Sequence, residues 1–170
     1  MDKTATERLT QWLRDAHTME TEAETMLKAL SSRIENYPEL RQRIDQHVEE
    51  TRNQARRIEA RLEAMDSSPS SVKDTAASAM ASLHAGGNAM MSDEVVKGLG
   101  MAYAFEHMEI ISYRNLMYAA EQYGDSATAE LCRQIIPEEE AMADWLARHQ
   151  QTLVQQFLAR EQTDGATAKH

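Results

Sequence analysis

The 170 residues contain a single cysteine, Cys132, which excludes an intramolecular disulfide and fits a reducing cytosol. Leu131 and Ile135 flank it at helical spacing, so it reads as a packing residue and not a nucleophile. Aromatic side chains are scarce at 5%, while Ala, Met and Leu dominate the 42% that is hydrophobic. That mixture favours helix over sheet, because straight-chain residues lose little rotamer freedom in a helix. No apolar run reaches the ~18 residues needed to span a bilayer. The opening residues, Met1 to Arg8, lack the apolar stretch of a secretory signal. Cations are outnumbered, 18 Lys and Arg against 28 Asp and Glu, and the resulting formal charge of -10 opposes binding to nucleic acid or anionic lipid. A cytoplasmic protein with neither nucleic-acid nor membrane partners is the expectation.

The length suits one domain, and the hydrophobic content is enough for a core. Apolar periodicity predicts a first long helix from about Thr4 to Ile34 and a second opened by Pro38, whose missing N–H is not needed in a first turn. So short a connection makes the two antiparallel neighbours. Asp66-Ser67-Ser68-Pro69-Ser70-Ser71 reads as a loop, with Ser70 or Ser71 capping a short helix from Val72 to about His84. Ala85-Gly86-Gly87-Asn88 breaks it, and Ser92 or Asp93 caps the third long helix, which Gly124 ends. Asp125 caps a fourth that runs to about Arg160, and Pro137 should kink or locally unwind it. The expected architecture is all-α, a four-helix bundle over 1–161 with a short additional helix in the long crossover. Residues 162–170 are expected to form a disordered C-terminal tail.

Each long helix places glutamate where its apolar stripe points inward. Glu20 replaces the apolar residue expected between Ala16 and Ala23. Glu50 shares a stripe edge with His47 and Gln54, Glu106 lies in mid-stripe with Glu109 one turn on, and Glu139 follows Ile135. Burying an ionised carboxylate without a partner costs several kcal/mol or more, so a positive charge is expected among them. Two metal ions meet that need. A dinuclear carboxylate site in a bundle takes one glutamate from each of two helices and Glu-x-x-His from each of the other two. Iron or manganese suits such oxygen and nitrogen donors. Asn53 and Met142 occupy the two positions where those histidines would fall, leaving His47, one turn before Glu50, as the nitrogen donor. His17 is a weaker candidate, and Tyr113 reads as packing with its hydroxyl bonded to a carboxylate. His47-Val48-Glu49-Glu50-Thr51 also echoes Ile136-Pro137-Glu138-Glu139-Glu140, which puts Glu50 and Glu139 in equivalent slots of two helix pairs and suggests both as bridges.

The segments His47-Val48-Glu49-Glu50-Thr51-Arg52-Asn53-Gln54, Phe105 to Arg114 and Pro137-Glu138-Glu139-Glu140-Ala141 resemble motifs of the YciE/YciF family of bacterial stress-induced, ferritin-like proteins. The resemblance runs from about Arg8 to Arg160. It implies four long helices plus a short fifth, a homodimer, and kinship with rubrerythrin and Dps-like proteins. The family's shared acidic positions fall on Glu20, Glu50, Glu106, Glu109 and Glu139, and relatives often have tyrosine where His17 stands. Rubrerythrin-type enzymes have the Glu-x-x-His motifs missing here, and the resemblance brings no assigned reaction.

The expected function is therefore a ferritin-like, dinuclear iron or manganese carboxylate protein that handles oxidants or metal under stress. Two alternatives stand beside it. One is a metal-free dimeric structural or interaction protein on the same scaffold, with its carboxylates held by arginines such as Arg56, Arg57 and Arg114. The other is storage in a ferritin-type shell.

Overall fold

Asp2 starts the bundle, its side chain accepting a hydrogen bond from the Ala5 N–H at 2.7 Å. Helix α1 follows at Lys3–Ser31, one residue ahead of the predicted start, because this aspartate satisfies a donor that the first helical turn leaves free. Helix α2, Pro38–Glu63, opens on proline as predicted. Helices α3, Glu94–Tyr123, and α4, Ser126–Glu161, complete the computed structural model, which describes residues 2–69 and 93–163. No strand occurs among the described residues. The short helix predicted at Val72 to His84, its serine caps, the glycine break, Ser92 and the tail from residue 164 lie outside them.

Two tight connections set the topology. Helix α1 ends at Ser31, short of the predicted Ile34, and the chain turns at Ser32 and Arg33, bends at Asn36 and buries Tyr37 before Pro38. Between α3 and α4, Gly124 adopts φ +75°, the left-handed conformation that glycine reaches at no steric cost. Asp125 then caps α4, accepting from the Thr128 N–H at 3.0 Å. Arg61, near the end of α2, reaches both Asp125 oxygens at 2.7 and 2.8 Å and so ties the first helix pair to the turn of the second. Across the bundle α1 also packs on α3, and α2 on α4.

Pro137 does not unwind α4, which continues as helix through it from Ser126 to Glu161. The proline removes the bond to the Arg133 carbonyl, but Arg133 and Pro137 are both exposed, so water can replace the lost donor.

The core comes in two blocks. Leu27, Ile44, Leu99, Met142 and Phe157 belong to one, and Leu9, Ile58, Leu116, Cys132 and Ile135 to the other. On every helix the break between blocks falls where the sequence substitutes an acid or an amphipathic group for an apolar residue. Glu20, His47, Glu106, Glu109 and Glu139 are all buried there. Cys132 is buried too, and that burial pushes its thiol up to about 12, as suits a packing residue.

Candidate metal centre

His47, Glu106, Glu109 and Glu139 bring one potential ligand atom each to within 4.8 Å of one another. Three helices supply them. Glu106 and Glu109 project from consecutive positions along the inner face of α3, His47 from α2 and Glu139 from α4. The His47 Nε2 lies 3.0 Å from Glu106 and 3.4 Å from Glu139, and its Nδ1 lies 2.8 Å from Glu50. Burial alone would push this histidine down, but the hydrogen bonds to Glu106 and Glu50 outweigh it and hold the imidazole up at about 10. In the metal-free protein it is therefore an imidazolium donating from both ring nitrogens.

One imidazolium does not balance this much buried acid. Burial raises Glu20 to about 8 despite a hydrogen bond from Tyr113. Glu109 and Glu139 stand well above the ordinary carboxylate range, first through burial and then through the neighbouring acids. Glu20 Oε2, Glu109 Oε1 and Glu139 Oε1 have no hydrogen-bond partner, and Glu139 Oε2 has a 3.4 Å ion-pair contact with His47 Nε2 in place of one. Buried polar atoms in native proteins are nearly always paired, so the unbonded oxygens of Glu109 and Glu139, with Glu20 facing them, mark a place shaped for a cation. Carboxylate oxygens with a single imidazole nitrogen suit a hard or borderline divalent ion such as iron or manganese.

Glu20 and Glu50 lie outside the tight group of four. Glu20 faces it from α1, fixed by the Tyr113 hydroxyl, which donates to its Oε1. Glu50 stands behind the histidine. Its side chain is 26% exposed, and it accepts from Arg43 Nη1 at 3.1 Å and from Gln46 Nε2 at 2.8 Å; against the opposing effect of burial, His47 and Arg43 hold it down at about 2. The equivalence of Glu50 and Glu139 suggested by the internal echo does not extend to burial. His47 takes the inward position on α2, and three residues on, Glu50 is rotated toward the rim. Arg43 is a residue that pattern reading passes over, and its signal is a position two turns before Glu50 on the same face.

The other histidines stay apart from the group. His17 is part-exposed, His107 packs edge-on against Tyr103 with centroids 4.4 Å apart, and His149 stacks on Trp145 at 4.0 Å. His84 and His170 lie outside the described residues. Arg57 pairs with Glu138 and Arg114 with Glu140; Arg57 is half-buried and its charge also favours the ionised form of Glu20, but no arginine hydrogen-bonds to the unbonded oxygens.

These features define a ferritin-like helical bundle with a carboxylate layer across its middle. The chain belongs to the family described as a domain of unknown function, DUF892, whose model matches residues 4–159, and it is a YciE/YciF-type member of that family. A protein of known structure from Xanthomonas campestris pv. campestris is 46% identical, over 94% of this chain and 99% of that one, with a TM-score of 0.81. The E. coli stress protein YciF is 24% identical over 91% of this chain and 99% of its own, with a TM-score of 0.79. The bacterioferritin of Desulfovibrio desulfuricans, described with a diiron site, shares the fold at 20% identity and a TM-score of 0.72, over 92% of this chain and 87% of its own. No helix among the described residues is long and apolar enough to cross a membrane.

Proposed function

We propose that the carboxylate layer binds two divalent ions, iron or manganese, and that the protein is a cytoplasmic, dimeric carrier of that centre in a stress-linked handling of oxidant or metal. The observation that supports this reading is the convergence of His47, Glu106, Glu109 and Glu139 within 4.8 Å beside buried carboxylate oxygens left without a hydrogen bond. His47 Nε2 and the three carboxylates would hold the first ion. Glu20, with its free Oε2, extends the oxygen set toward a second. Glu50 then serves as the carboxylate that receives the Nδ1–H of His47 and aims its Nε2 inward, the arrangement that metal-bound histidines generally have, and not as a bridge between ions. When bound, the ions supply one-electron redox chemistry. The residues hold them, exclude water with an apolar block on either side, and keep a proton on Tyr113 beside Glu20.

Elemental mass spectrometry on protein purified without chelator tests the reading, alongside a Glu109→Ala/Glu139→Ala double variant. The wild type should hold about two equivalents and the variant almost none. Equal, sub-stoichiometric metal in both samples removes the proposal.

The His47 imidazolium favours a second reading, a metal-free dimeric structural protein in which that one cation neutralises part of the layer. It predicts a melting temperature indifferent to metal. A ligand bound only by the folded state must raise stability, so a metal-dependent increase decides for the first reading.

A further inference from the structure

Helix α3 is apolar on its outside as well as its inside. Of the six large hydrophobic side chains left exposed among the described residues, Tyr103, Met108, Ile111, Tyr118 and Tyr123 lie on α3, and only Leu158 lies elsewhere. Gly100, Ala104, Ile111 and Tyr118 recur at four- and seven-residue steps in a strip on one outward face, with Met108 beside them and Arg114 and Asn115 standing between Ile111 and Tyr118. Its charge is as unusual as its hydrophobicity. From residue 98 to residue 120 the only acids on α3 are the buried Glu106 and Glu109. The other helices all expose carboxylates, including Glu7 and Asp15 on α1, Asp45 and Glu49 on α2, and Glu130 and Asp144 on α4.

We infer that this strip is where a second copy of the chain docks, α3 against α3 in antiparallel register about a two-fold axis near Ile111. The inference rests on the reading of the protein as a dimer and names its surface. Charge selects the occupant. Copies with a formal charge of -10 repel through every acidic face, and this strip is one place where they meet without opposing carboxylates. A basic partner would gain more from the acidic faces. Shape agrees with charge, since a two-fold interface must be self-complementary. At 1.5 Å rise per residue, Tyr118 and Ala104 stand about 10 Å from Ile111 in opposite directions, so the rotation lays the bulky tyrosine of each copy over the small residues of the other. Space for it exists at that end. A Cβ built on Gly100 meets nothing within 4 Å, and Leu99, Gly100, Tyr103 and Leu146 help to line a cleft of ≈ 200 Å³ between α3 and α4.

Sedimentation velocity on the full chain tests the surface. Wild type should run at twice the 19.2 kDa chain mass. Ile111→Glu and Tyr118→Glu should both drop to the single-chain mass with unchanged helical circular dichroism, and Leu158→Glu should stay dimeric. A residue on a two-fold axis meets its own copy, so Ile111→Cys in a Cys132→Ser background should cross-link to a covalent dimer on mild oxidation, while Leu158→Cys should not. A monomeric wild type overturns the dimer itself and leaves the strip to a different partner. A dimer untouched by Ile111→Glu and not linked through Ile111→Cys overturns the surface and leaves the dimer standing.

Discussion

Tyr113 on α3 donates its hydroxyl hydrogen to Glu20 on α1, joining two helices through the only hydrogen bond that the Glu20 carboxylate makes among the described residues. With Oε1 so fixed, Oε2 is left to face the acidic layer. Tyr113→Phe should therefore weaken metal binding about tenfold, in line with the loss of an outer partner to a ligand. Calorimetric titration with Mn(II) or anaerobic Fe(II) measures it. An unchanged affinity would show that Glu20 needs no orientation from Tyr113.

Glu109 is buried, partly unpaired and surrounded by Glu20, Glu106 and Glu139. Replacing it with an uncharged residue of the same shape removes the cost that the metal-free protein bears in holding this carboxyl buried among other acids. Glu109→Gln should stabilise the metal-free fold by about 1–3 kcal/mol, raising its melting temperature by several degrees, while metal no longer adds to it. Thermal melts with and without metal give both readings. A lower melting temperature in the metal-free variant would contradict the strain assigned to this layer.

Asp125 offers a pH dependence remote from the metal ligands. Burial works against its ionised form, yet bonds from Thr128 and Arg61 overcome that and lower it below its ordinary value of 3.8. A carboxylate depressed in the folded state adds stability that is complete above the unfolded value and is lost as pH falls through the folded one. Asp125→Ala should cost about 2 kcal/mol at pH 6, for the cap and the Arg61 pair together. The gap between wild type and variant in urea titrations should close below about pH 3.8 as the wild-type carboxyl takes its proton.

Acid should also strip the centre, because protonated carboxyl groups are poor ligands. Dialysis at falling pH, followed by elemental analysis, should show metal leaving as the solution approaches the ordinary glutamate range near about 4.3. Retention well below that range points away from carboxylate ligation.

Much of the fold is legible in the sequence, since caps and glycines act locally. Pro38, Gly124 and Asp125 sit at the helix boundaries where their own chemistry places them. Of the kink or local unwinding expected at Pro137, the unwinding does not occur, because its cost depends on whether water reaches the Arg133 carbonyl, and that is settled by packing. The candidate site divides in the same way. Helical spacing turns Glu20, Glu106, Glu109 and Glu139 inward without knowledge of any neighbour. It does not separate His47 from Glu50, which share an edge of one stripe, because their order of depth is set by the rotation of α2 against α3 and α4. Arg43 draws attention only once Glu50 is seen at the rim.

Both apolar blocks draw on all four helices, joining Leu9 and Leu13 to Leu131 and Ile135 at one end, and Leu27 and Ile44 to Leu146 and Phe157 at the other. Neither helical hairpin owns a finished interior. The helix pairs 2–69 and 93–163 would therefore each be useless alone and each the missing half of the other. Expressed separately and mixed, they should reassemble into the intact body, because each supplies the apolar surface that the other lacks.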